Sequence, residues 1–242
     1  MRVAIIGCGN VGSFFYETLQ EKSNSCLWIS ARKLISKPLY VDADMILYCV
    51  NDNYLASVAS RVSAPKTTLH LHTSGTLAVD IFDATKEHTG VIYPLQTFTK
   101  TCPMSDKGNI PFFVELRNKK DWSFVKKLLS KVSSQVYPVT YDQRRILHLC
   151  GVFVNNFPNL MYLFAERLLS KTDFDFSVLY PIIEQTVYKL RFLSPHEAQT
   201  GPARRHNTSI IHQHLALLQK ENTEMYTVYK ILSDAISDLY RE

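Results

Sequence analysis

Along residues 1–140, short runs of apolar and often β-branched residues alternate with stretches whose apolar positions recur at helical spacing. The runs fall at 3–6, 26–30, 45–50, 68–72, 90–93, 112–115 and 135–139. Strands that alternate with helices predict a parallel, doubly wound sheet. Beyond residue 140 the strand pattern stops and helical patterns take over. The first covers about 142–169 with apolar residues on most of its faces, which predicts a central, buried helix. Another starts at Ser194-Pro195-His196-Glu197, where Ser caps, Pro suits the first turn and Glu completes a capping box. A last one is marked by Met225, Val228, Ile231, Leu232, Ala235 and Leu239. The chain reads as an α/β domain over 1–140 followed by an all-α domain over 141–242.

The first strand runs into Gly7-Cys8-Gly9-Asn10-Val11-Gly12, a GxGxxG loop that opens the first helix. Gly7 permits the tight turn, Gly9 lets backbone approach a pyrophosphate, and Gly12 lets helix and sheet pack closely. The helix N-terminus then offers free N–H groups and partial positive charge, about 0.3 to 2 kcal/mol per anion. In this context the motif predicts a Rossmann-type dinucleotide site at Gly7, Gly9, Asn10, Val11 and Gly12. A site for NAD carries an acid about 20 residues on, at the end of the second strand, to hold the ribose diol. Here that strand ends in Ser30-Ala31-Arg32-Lys33. Ser30, Arg32 and Lys33 suit a 2′-phosphate, and a guanidinium can bind one through two parallel hydrogen bonds. The expected cofactor is therefore NADP(H).

Ligands of a doubly wound sheet lie beyond the carboxyl ends of its strands. Three segments should meet there: Val50-Asn51-Asp52-Asn53, His72-Thr73-Ser74-Gly75 and Tyr93-Pro94-Leu95-Gln96-Thr97-Phe98. Val50 and Asn51 join the expected cofactor contacts. Small polar groups at strand ends suit a nicotinamide amide and substrate oxygens, although turn chemistry explains Asn, Asp, Ser and Gly equally well. On the long helix, His148, Asn155, Asn159, Tyr162 and Glu166 recur at spacings of seven, four, three and four, forming one polar stripe. Unpaired buried polar groups cost about 1 to 3 kcal/mol each, so the stripe should line a wet cleft or an interhelical seam. The loop Thr200-Gly201-Pro202-Ala203-Arg204-Arg205-His206-Asn207 could close over that cleft, with Arg204 pairing a substrate carboxylate. No metal is expected: His70 and His72 share a strand face without nearby carboxylate or thiolate, and His212 and His214 do not face each other on a helix.

Composition narrows the partners. Of 242 residues, 46% are hydrophobic and 20% charged, close to an average globular protein, and no 18-residue apolar run exists to span a bilayer. The first apolar run is too short for a signal-peptide core, and the five cysteines form no CxxC pair, which suits reduced thiols and a cytoplasmic location. The net charge of +5 is spread among acids rather than stacked in a stripe, so nucleic acid is not an expected partner and anionic small molecules are.

Taken together, GCGNVG (7–12), HTSGT (72–76), YPLQTF (93–98), LHLCGVFVNN (147–156) and TGPARRHN (200–207) resemble a Rossmann-like NADP-binding domain followed by the helical domain of unknown function 2520. The resemblance extends to NADP-dependent reductases of the pyrroline-5-carboxylate reductase and 6-phosphogluconate dehydrogenase-like group. It implies nucleotide at the glycine loop, substrate in a cleft beside the helical domain, and a homodimer built through that domain. Hydroxyacid dehydrogenases of this group use a Lys four residues before an Asn, but here Gly151 and Val152 stand four before Asn155 and Asn156. The TGP loop also ends in Arg205-His206-Asn207 where relatives tend to carry an acid. The expected catalytic residues are His148, Asn155 and Ser74, with His72, Tyr93, Gln96, Thr97 and Arg204 at the substrate. A histidine can trade protons near neutral pH, so the leading expectation is an NADP-dependent oxidoreductase acting on a small carbonyl or imine. A non-catalytic NADP sensor or scaffold, and a deazaflavin-dependent NADP oxidoreductase, are the alternatives.

Overall fold

A computed structural model describes residues 1–21, 25–32, 34, 37–102 and 106–241. The chain divides into two compact units, Met1–Phe157 and Pro158–Glu242. The first contains β1 (Arg2–Ile6), α1 (Asn10–Glu21), β2 (Ser25–Ile29), β3 (Leu39–Tyr40), β4 (Met45–Tyr48), α2 (Asp52–Ala59), β5 (Val62–Ser63) and β6 (Leu69–His72). It continues through β7 (Thr89–Pro94), β8 (Phe112–Leu116), α3 (Trp122–Leu129), β9 (Val136–Pro138), α4 (Tyr141–Gly151) and a π-helical turn, Val152–Asn156.

Seven strands form one sheet in the order β2-β1-β4-β6-β7-β8-β9, and β3 pairs with β5 in a separate ribbon. The α/β class is as expected, but the sheet is mixed. β8 runs antiparallel to β7, with Gly90 opposite Leu116, and β9 is parallel to β8. The cause lies in the connection. A parallel return needs a crossover, usually a helix, whereas the described part of 95–111 forms only a 3₁₀ turn at Lys107–Asn109.

Alternation along β1 shows why both faces are covered. Val3 and Ile5 enter a core with Phe14, Phe15 and Leu19 of α1 and Val125, Leu128 and Leu129 of α3. Ala4 and Ile6 enter a second core with Leu55, Val58 and Ala59 of α2. Every residue of β4 and β6 is buried, as expected for central strands covered on both sides.

Strands give way to helices between β9 and α4, near residue 140, while the compact unit runs on to Phe157. α4 opens on a capping box made by Thr140 and Gln143. The expected long helix is not buried. Ile146, Leu149, Phe153 and Val154 are exposed, since a periodic pattern marks which faces are apolar but not what covers them.

α5 (Phe157–Leu169) leads into the second unit, which continues with α6 (Tyr180–Lys189), α7 (Pro195–Ala198), α8 (Thr208–Glu221) and α9 (Thr223–Leu239). Its described residues contain no strand. The capping box at α7 forms as its sequence predicts, with Ser194 and Glu197 each bonding the other's backbone N–H. No helix among the described residues is long and apolar enough to cross a membrane.

Candidate active site

The glycine loop has the backbone that a dinucleotide requires. Gly7 sits at φ 117°, and a Cβ there would overlap the carbonyl oxygen of Cys49. A Cβ on Gly12 would overlap the Gly7 carbonyl, whereas nothing lies within 4 Å of one on Gly9. The crowded positions thus face protein and the open one faces solvent. Gly7 N–H donates to Ile29 O and the Trp28 indole N–H donates to Gly7 O, both at 2.9 Å, which locks the turn. α1 carries no acid in its first turn, so no carboxylate of the helix competes for its free N–H groups.

At the end of β2, Ser30 is half-buried and Arg32 is exposed, with no ion pair among the described residues. Lys33 lies outside the described residues. Val50 abuts Gly7. Asn51 departs from expectation: its side-chain oxygen accepts from Asn53 N–H at 3.0 Å and caps α2 instead of turning toward a nucleotide.

Beside the loop opens a cleft of about 440 Å³ whose walls include Asn10, Thr73, Tyr93, Gln96, His148 and Asn155. Tyr93 Oη and His148 Nδ1 share a hydrogen bond of 3.0 Å, with the rings edge to face. Burial pushes the phenol up to about 12, against a smaller opposing pull from the Arg144 cation. It is therefore protonated at neutral pH. Two glycines make room for this pair. A Cβ on Gly75 would come within 2.5 Å of His148 Nδ1, and one on Gly151 would sit 3.9 Å from Tyr93 Oη and 3.0 Å from Leu95. Gly151, four residues before Asn155, thus looks onto a phenol supplied by β7. The π-helical turn carries Asn155 and Asn156 to the same cleft; single π turns are frequent at functional sites.

Arg144 is a further member that its charge conceals in the sequence. Its side chain is 0% exposed, and its guanidinium donates to Glu115 Oε2 at 2.7 Å, Ser74 O at 2.8 Å and Leu77 O at 2.7 Å. One turn before His148, it ties α4 to β8 and to the turn after β6. The only signals were its place in the first turn of an apolar helix and its spacing of four from His148.

Other expected site residues are engaged elsewhere. His72 is fully buried: Nδ1 accepts from Ser74 N–H at 3.2 Å, leaving the Nε2 proton for Ala78 O at 3.3 Å. It cannot touch substrate. The buried Ser74 hydroxyl donates to Asp52 Oδ2 at 2.7 Å and accepts from the N–H groups of Thr76 and Leu77, so it has no lone pair or proton left for chemistry. Gln96 and Thr97 do line the cleft, with Gln96 Oε1 accepting from Thr97 N–H at 2.8 Å. In the second unit, Arg204 donates to the carbonyls of Glu197 and Gln199 and lies 5.0 Å from the Tyr240 ring centroid. Its fork serves that unit and is not held out for a carboxylate. Asn159, Tyr162 and Glu166 also belong to the second unit.

Sheet, glycine loop and appended helices define a Rossmann-type α/β protein with a C-terminal helical region. The chain belongs to the family described as domain of unknown function 2520, whose profile matches residues 110–236. Among solved structures it is similar to a "putative NADP oxidoreductase" of Bacteroides fragilis, at 30% identity over 98% of both chains and a TM-score of 0.86. A protein of Thermotoga maritima, 17% identical over 98% of both chains, reaches 0.71. A reductive aminase of Aspergillus terreus in complex with NADPH and ethyl levulinate reaches 0.72 at 12% identity, over 98% of this chain and 97% of that one. The last two likenesses concern fold alone. No curated protein sequence matches the chain.

Proposed function

We propose that the protein is an NADP-dependent oxidoreductase that reduces a small carbonyl or imine. The observation that carries this reading is the Tyr93–His148 hydrogen bond inside the cleft that Asn10 and Val11 of the glycine loop also line. Reduced nicotinamide supplies a hydride when bound. The protein's share is the proton. The substrate oxygen or nitrogen takes it from Tyr93 Oη, and His148, bonded to that oxygen, returns one to the phenol from solvent. Asn155 orients the substrate from the same wall. The phenol thus takes the part that a lysine four residues before an asparagine plays in the hydroxyacid dehydrogenases that the sequence resembles, where this chain has Gly151 or Val152.

Gly7, Gly9, Asn10, Val11 and Gly12 would hold the pyrophosphate, and Ser30 and Arg32 the 2′-phosphate. The 30% identical "putative NADP oxidoreductase" of B. fragilis supports that choice. Exposed Phe174, Ile182, Tyr188, Phe192, Ile231 and Leu239 support a homodimer assembled through the helical unit, since apolar surface of that extent favours being covered. Free thiols at Cys8, Cys26, Cys49 and Cys150 favour a reducing compartment such as the cytoplasm.

The test has two stages. NADPH binding is measured by fluorescence titration, and then NADPH oxidation is followed against a panel of small ketones, aldehydes and cyclic imines. Binding with turnover on at least one member is expected. Binding without turnover on any member would leave a nucleotide sensor and remove the reductase.

A further inference from the structure

Resting on the nucleotide-binding reading above, we infer that Lys100 is a second cation of the cofactor site, which meets the pyrophosphate charge while Arg32 meets the 2′-phosphate. Nothing in its local sequence marks Lys100 for this. It stands 92 residues after Cys8, and the fold brings the two together. After β7 the chain crosses the first turn of α1, where Asn10 Nδ2 donates to Phe98 O at 2.7 Å and the Phe98 ring packs on Phe14 at 4.8 Å between centroids. Lys100 Nζ then donates to Cys8 O at 2.6 Å, inside the glycine loop itself. Residues 98–100 therefore form a strap across the opening of the helix.

The charge balance calls for such a group. A helix N-terminus contributes roughly half an elementary charge, short of what a doubly charged pyrophosphate needs. An ammonium has three donors, and Cys8 O takes only one of them. Among the described residues no carboxylate pairs with Lys100: Glu17 lines the same groove without reaching it, and Lys107 is the partner of Glu21. An acidic arm of the substrate in that groove, which opens beside Ser13 and Gln96, is the rival occupant. Contact with the glycine-loop backbone favours the pyrophosphate, because that loop is where the dinucleotide must cross.

Pyrophosphate is common to NADPH and NADH, and this separates Lys100 from Arg32 experimentally. NADPH and NADH are titrated into wild type, Lys100→Gln, Lys100→Arg and Arg32→Ala, with thermal melts to confirm folding. Lys100→Gln is expected to weaken both nucleotides by a similar factor, about tenfold or more, while Lys100→Arg retains most of the affinity. Arg32→Ala should weaken NADPH selectively. If Lys100→Gln binds both nucleotides as wild type does, including the case in which only a substrate KM rises, the inference is overturned while the cofactor reading stands. Loss confined to NADPH would overturn it too, by moving Lys100 to the 2′-phosphate. A wild-type chain that binds neither nucleotide ends both.

Discussion

Arg144 and Glu115 form an ion pair of 2.7 Å in which the arginine side chain has no solvent exposure and the glutamate is 16% exposed. The same guanidinium also satisfies the carbonyls of Ser74 and Leu77. Removing one partner of a buried pair leaves the other charge uncompensated, which costs more than the pair itself contributes. Arg144→Met should therefore lower stability by about 3 to 5 kcal/mol, read from the urea midpoint. The double variant Arg144→Met with Glu115→Leu should recover part of it. A single variant as stable as wild type would show that the buried pair is dispensable.

Gly75 and His148 make the second prediction. A methyl group at 75 would meet the imidazole at Nδ1 and Cγ, and the ring must swing away from Tyr93. Gly75→Ala and Tyr93→Phe should both cut kcat, the latter by about 10² to 10⁴-fold, with NADPH affinity little changed. Steady-state kinetics beside a binding titration decides it. Tyr93→Phe at full kcat would take the proton-donor role from the phenol.

Acid should loosen the fold before most carboxylates titrate. His70 and His72 are held neutral by burial, both lowered from 6.5 to about 4, with Lys86 and Arg144 respectively adding to the effect. The unfolded chain binds protons first. Stability that is complete above about pH 6.5 is thus lost as pH falls toward 4, on the order of 3 kcal/mol per histidine. Protonation would also set an N–H on His72 Nδ1 against the Ser74 N–H that it now accepts. Urea midpoints at pH 7.0, 6.0 and 5.0 should fall, and His70→Gln, though less stable, should show a shallower fall. An unchanged slope in that variant would deny His70 its share.

All seven strands of the main sheet were legible because each carries a short run of mainly apolar residues, even at the edge strands β2 and β9, which are mostly exposed. β3 and β5 were not, being two residues each and too short to display a period. The reversed direction of β8 and β9 was hidden as well, since apolar patterning carries no strand direction. Tyr93, His148 and Asn155 could be read as candidates, but their meeting depends on Gly75 and Gly151, and nothing in the local sequence shows what either glycine faces. His72 and Ser74 misled for a physical reason. A strand end shows polar residues whether they face a ligand or satisfy the turn behind it, and here they do the latter. Arg144 went unseen because a charged residue reads as surface unless its partners, 29 and 70 residues away, are known.

On the proposed reading, the choice between the two pyridine nucleotides hangs on Arg32. No acid follows β2 to receive a ribose diol, and Arg32 is exposed without an ion pair among the described residues, so a phosphate would meet an uncommitted guanidinium. Charge-assisted hydrogen bonds of this kind contribute about 1.5 to 3 kcal/mol, roughly 10 to 150-fold in affinity. Arg32→Ala should weaken NADPH by such a factor and leave NADH within about twofold, because only the 2′-phosphate differs between them. Arg32→Lys, which keeps the charge and loses the bidentate fork, should fall between. Equal losses for both nucleotides in Arg32→Ala would mean that the end of β2 does not read the 2′ position, and the preference for NADPH would have to come from elsewhere in the site.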